Sequence, residues 1–272
     1  MSHSRPSQSR VALLLAAAVL AAGCSDSATA PTNQPAELGA LLNEMSASGM
    51  SVAAGASLPP ASAVVTARPG IVPNACPYDN ATQRFVCPTV TVNGLTFTRS
   101  FQLLDVAGEP HSKFEAAVVA IRTFSTVRGT LTNTTAGGST SVHAIDRQEV
   151  MTLSGIRTDR HTLNGVATSL VEGTITTARG TVHTKTTQTE TTTNLVLPNP
   201  RTGSRWPIGS VTVESTSEVT ANGEDKVTSH MTTTITFDGT KRAKITVSTG
   251  FGTFSCTIDL ENPAASAQAC VA

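Results

Sequence analysis

The chain has 272 residues, with 19 Lys+Arg against 19 Asp+Glu and no basic block, so its formal net charge is zero. That balance removes the electrostatic footprint of a nucleic-acid binder, which neutralises phosphates with clustered Lys and Arg. Charged residues make up 14% and aromatics 4% of the chain, while threonine takes about one position in six; a β-branched residue suited to half-wet pleated surfaces points towards sheet.

The N-terminal stretch has an apolar run from Val11 to Ala22, preceded by Arg5 and Arg10 and followed by Gly23 and Cys24. A short apolar core with a basic front and a small-residue exit reads as a secretory signal. It is shorter than the roughly 20 apolar residues that a membrane-spanning helix needs. The ending Leu20-Ala21-Ala22-Gly23-Cys24 resembles the lipobox of bacterial lipoproteins. The resemblance implies cleavage before Cys24, lipidation of its thiol, acylation of the new N-terminus and a body held on a membrane in an extracytoplasmic space. Two or three acyl chains give stable anchoring where one gives only marginal binding. In that class an aspartate directly after the cysteine favours inner-membrane retention; here the position is Ser25, with Asp26 next, which favours the outer membrane in a Gram-negative cell. Loss of Arg5 and Arg10 leaves 19 − 2 = 17 basic residues against 19 acidic ones, a mature net charge of −2.

Residues 1–23 are therefore expected to be the signal, 24–72 a tether and 73–272 the folded body. The tether is rich in Ala, Ser, Pro, Thr and Gly, a composition that buries little. Within it, Ala36 to Ala47 places Leu38, Leu41, Leu42 and Met45 at helical spacing, which predicts a short amphipathic helix docking on the body.

The body opens with turn chemistry at Cys76 to Asn80. Arg84 to Val92 and Leu95 to Leu104 flank Asn93-Gly94, the strongest short hairpin signal. Asp105 to Glu115 reads as a loop. Ala116 to Leu131 reads as a strand apolar on both faces, with a helical start over Lys113 to Ile121 as the alternative. Alternating segments follow at Ser141–Ile156, Arg160–Ala178, Gly180–Leu197, Ser210–Thr220, Lys226–Phe237, Lys241–Thr249 and Thr253–Leu260. The connections are too short or too rich in proline for crossover helices, so neighbouring strands must run antiparallel. The expected fold is all-β: an antiparallel meander of about 8–11 strands forming a curved sheet or a barrel. Thr181 to Thr193, with eight threonines, reads as a strand wet on both sides, whereas Val227 to Phe237 alternates between an apolar and a polar face.

Once Cys24 is lipidated, four cysteines remain in an oxidising compartment. Cys76 with Cys87 and Cys256 with Cys270 form two local couples, and disulfides within each couple are expected, with Cys87–Cys256 as the rival pairing. No Cys-x-x-Cys or neighbouring histidine supplies zinc spacing.

Catalytic signals are weak. His111, His143, His161, His183 and His230 stand singly, and no nucleophile elbow, phosphate loop or metalloprotease helix is present. Asp105 with Glu109 and Asp146 with Glu149 are close in sequence, but a glycosidase needs its carboxylates facing one another across a cleft. Trp206, the single tryptophan, sits in an Arg-, Gly- and Pro-bearing loop and reads first as a plug for one end of the sheet, with contact to a ligand or partner as the alternative. The expectation is a non-enzymatic lipoprotein without cofactor or metal. Its curved sheet would bind an apolar ligand or an envelope partner. The alternatives are a surface-exposed structural or adhesion protein with a filled core and, third, a hydrolase with an unrecognised site.

Overall fold

A computed structural model describes residues 76–134, 139–177, 180–197 and 206–261. The lipobox, the tether with its expected helix at 36–47, and Cys270 lie outside the described residues.

The described chain is a single antiparallel sheet of 13 strands. In chain order these are β1 (Tyr78–Asp79), β2 (Arg84–Val86), β3 (Val90–Val92), β4 (Leu95–Leu104), β5 (Pro110–His111), β6 (Ala120–Thr134) and β7 (Thr140–Ser154). They continue with β8 (Thr162–Thr177), β9 (Gly180–Val196), β10 (Ile208–Ala221), β11 (Val227–Asp238), β12 (Arg242–Thr249) and β13 (Gly252–Asp259). The order β1-β2-β4-β6-β7-β8-β9-β10-β11-β12-β13 is an up-and-down meander whose two ends do not pair, so the sheet is open and not a barrel; β3 and β5 also pair β4.

The turn chemistry acts as read. Asn93 and Gly94 both take positive φ (51° and 80°), as do Asn222 and Gly223 (51° and 77°), the conformation of a two-residue turn whose twist matches its strands. The expected single segment Arg84 to Val92 is instead split into β2 and β3. Pro88 lacks an N–H and interrupts pairing, yet both pieces align on β4 through Phe85↔Phe101 and Val90↔Phe97. The strand count exceeds the expected 8–11 because β1, β2, β3 and β5 are two- and three-residue pieces along that one edge. No helix forms at Lys113 to Ile121, and no described helix is long and apolar enough to cross a membrane.

One face of the sheet is buried. Its strongest row runs Leu103↔Ile121↔Leu153↔Leu163↔Leu195, the first four 0% exposed and the last 4%. Each such side chain stabilises the fold by about 1.5–3 kcal/mol. Phe114, Val118 and Ile156, from loops beside this row, pack into the same cluster with Phe101, Met151, Val211 and Val213. A second cluster on that face joins Leu95, Phe97, Val127 and Ile145. β6 is buried mainly on one side: Ile121, Ser125 and Val127 are covered, while on the other side Ala120 is buried at the start of the strand and Phe124 is half-buried beneath the Arg84 guanidinium at 3.5 Å.

The register also corrects the reading of β9. A bulge opposite Asn164, where Asn194 takes φ 48° and donates its N–H to Asn164 Oδ1 at 2.7 Å, shifts the alternation. Gln188, Glu190 and Thr192 before the bulge, and Leu195 after it, all enter the buried face. The strand expected to be wet on both sides is thus covered on one. Towards the end of the sheet the cover thins: Ile235 and Ile245 are half-buried, Phe254 is 62% exposed and Val227 is 68% exposed, so the clean alternation expected of β11 is weak.

Candidate functional site

Two arrangements concentrate polar chemistry, one on each face. On the buried face, between the two apolar clusters, runs the row Arg99↔Ser125↔Glu149↔Ala167↔Glu190. Next to it Arg147 on β7 is in register with Ser169 on β8 and Gln188 on β9. Nη2 of Arg147 donates to Glu149 Oε2 and to Glu190 Oε2, each at 3.3 Å. Ser125 donates to the other oxygen of Glu149 at 3.5 Å. Glu190 is 3% exposed, and burial pushes its carboxyl above the usual range, an effect opposed by Arg147 and reinforced by Glu149. This belt is a buried charge layer.

The other, open face carries hydroxyl rows. Thr98 bonds Thr126 across β4 and β6 at 2.6 Å, and Thr246 bonds Ser255 across β12 and β13 at 3.0 Å. Along β7 to β10 this face forms two adjoining grooves. The first, of about 380 Å³, is lined by Asp146, Gln148, Thr168, Thr187, Thr189 and Glu214 among others. The second, of about 490 Å³, is lined by Glu172, Thr174, His183, Lys185, Glu218 and Lys226 among others. Asp146 pairs with Arg128 at 3.1 Å, Glu172 with Lys185 at 3.2 Å and Glu218 with Lys226 at 3.0 Å. His183 contacts Thr174 at 3.1 Å and His230 contacts Thr216 at 2.9 Å, so these two rings belong to the hydroxyl network.

The residues singled out by sequence fall in separate places. Cys76 and Cys87 form a disulfide, and Cys256 is disulfide-bonded as well, its partner lying outside the described residues with Cys24 and Cys270. Trp206 is half-buried just before β10, beside Pro207, whose carbonyl accepts the N–H of Gly239 at 2.9 Å. Asp146 and Glu149 stand on opposite faces and cannot act on one substrate. Asp105 accepts the N–H groups of Ala107 and Glu109, both at 2.9 Å, which makes it the closure of a loop. His111 lies between Glu115 (2.7 Å) and Asp105 (3.4 Å), and both hydrogen bonds, that to Glu115 first, raise its pKa. No group of three His, Cys, Asp or Glu among the described residues could hold a metal ion.

Sequence reasoning missed both the charge belt and the grooves. Arg147 and Glu190 are 43 positions apart and meet only through the register of three strands; no local spacing announces them. No protein-family model matches the chain, and neither a curated protein nor a solved structure is significantly similar to it.

Proposed function

We propose that the protein is a lipid-anchored, extracytoplasmic and non-enzymatic bacterial lipoprotein that binds an envelope partner through the open face of its sheet. The lipobox-like Leu20–Cys24 supports the anchor, and a disulfide at Cys76–Cys87 is in keeping with an oxidising compartment. The observation that carries the binding reading is the division of chemistry between the faces. From β4 to β10 one face is buried around two apolar clusters, while the open face holds two grooves lined mainly by threonine, glutamate and lysine side chains. That arrangement supports a polar partner over an apolar ligand.

The filled face also supports the second reading, a structural or adhesion protein. Two measurements test the proposal. Cells fed labelled palmitate should label the wild type and not Cys24→Ser, with the variant leaving the membrane fraction. The mature protein, freed of its acyl chains by Cys24→Ser, should co-sediment with washed cell envelopes, and adding Thr187→Lys/Thr189→Lys should weaken this. Retention of binding in that variant would exclude the open face, and absence of binding in the wild type would leave the structural reading.

A further inference from the structure

We infer that the two grooves on β7 to β10 form one trough that takes an extended, uncharged, polyhydroxylated chain, a glycan lying along the strands; this rests on the open face being the binding face. The grooves adjoin in register. Gln148↔Thr168↔Thr189↔Glu214 and Asp146↔Leu170↔Thr187↔Thr216 line the first, and Ala144↔Glu172↔Lys185↔Glu218 and Val142↔Thr174↔His183↔Thr220 continue directly into the second. From Val142 to Gln148 the trough runs about 20 Å at the rise of an antiparallel strand, room for several sugar units.

Charge decides between ligand classes. Asp146, Glu172 and Glu218 are each neutralised by a neighbouring cation on the same face. Glu214 is the one carboxylate in the trough with no ion pair among the described residues. A polyanion would meet the unpaired Glu214 and find the cations already engaged, and a polycation would find three of the four carboxylates already paired. What the trough offers instead is threonine hydroxyls, which both donate and accept, together with the Gln148 amide. A sugar chain presents the complementary hydroxyls. Its C–H faces have apolar ground as well: Val150 and Val166, paired at one end of the trough, are 42% and 44% exposed, and Val142 is 38% exposed at the other. An extended peptide is disfavoured, because the backbone of these central strands is already hydrogen-bonded on both edges and offers no site for strand addition.

The test is depletion of the mature protein, made soluble by Cys24→Ser, from solution by insoluble neutral polysaccharides (cellulose, chitin and an insoluble α-glucan) and by isolated peptidoglycan. The washed-envelope assay runs in parallel. At least one of the neutral polysaccharides is expected to deplete the protein, and depletion by peptidoglycan alone overturns the uncharged-chain inference. Thr187→Lys/Thr189→Lys, which places charge in the trough, should weaken this by about tenfold, the effect of building an unpaired charge against a ligand. Thr246→Lys, on the same face but on β12, should bind as the wild type. Far-UV circular dichroism confirms that each variant is folded. Binding to envelopes with no glycan depleting the protein overturns the glycan inference and leaves the binding-face reading intact. Binding to neither overturns both, and equal loss in Thr246→Lys shows that the trough is not the site.

Discussion

Nη2 of Arg147 on β7 lies 3.3 Å from Oε2 of Glu190 on β9, so the contact spans the whole of β8. It passes because β8 presents only Ala167 and Ser169 at that level. The same nitrogen holds Glu149, and the two carboxylate side chains are 3% and 8% exposed. One cation therefore serves two buried anions. Removing it should be costly: Arg147→Met leaves both carboxylates without it and should lower stability by about 3 kcal/mol, read as a fall in the urea midpoint. A midpoint within error of the wild type would show that the belt is not held by Arg147.

The pH dependence follows from Glu190. Its folded pKa lies above the unfolded value, chiefly through desolvation. The folded state thus binds more protons, and the associated stability is complete below the ordinary carboxylate pKa and lost as pH rises through the folded value. Urea unfolding from about pH 4.5 upwards should show a decline that Glu190→Gln removes. Asp79, Asp105, Asp238 and Asp259, all held low by hydrogen bonds first of all, act in the opposite sense at more acid pH, so the two windows separate. A wild-type slope persisting in Glu190→Gln would assign it to another group.

The small residue beneath the Arg147–Glu190 contact should matter as much as the charges. Ala167 is 3% exposed and lies between Glu149 and Glu190 in register. Ala167→Leu should overpack that level and cost about 1–3 kcal/mol. Combined with Arg147→Met it should cost less than the sum, because both changes break one contact; strict additivity would mean that Ala167 does not shape the path.

His111 should tie the loop after β4 in a pH-dependent way. Its bonds to Glu115 and Asp105 raise its pKa, so this contribution is present below the ordinary histidine value and lost as pH rises through the raised one. An NMR titration of the ring should give a pKa that falls in Glu115→Gln, and high salt should reduce the difference because the site is open to solvent. An unchanged titration in that variant would exclude Glu115 as the main cause.

What the sequence determines by itself is local. Asn93-Gly94 and Asn222-Gly223 dictate their turns, because only such residues settle readily at positive φ. Alternation and short connections dictate an antiparallel meander, with the long strands ending within a few residues of the expected limits. The nearness of Cys76 to Cys87 favours their pairing, and the folded chain decides it over the rival Cys87–Cys256. Only the tertiary structure decides which face is covered, since a period of two says which side chains share a face and nothing about what lies against it. Thr181 to Thr193 shows this best: its polar residues look solvated in isolation, yet Gln188, Glu190 and Thr192 are buried because flanking strands set them between two apolar clusters. The bulge at Asn194 hides the pattern further by shifting the alternation within one strand. Closure was equally beyond local reading, because whether the first and last strands meet depends on twist summed over the whole sheet, and here the two ends stay apart.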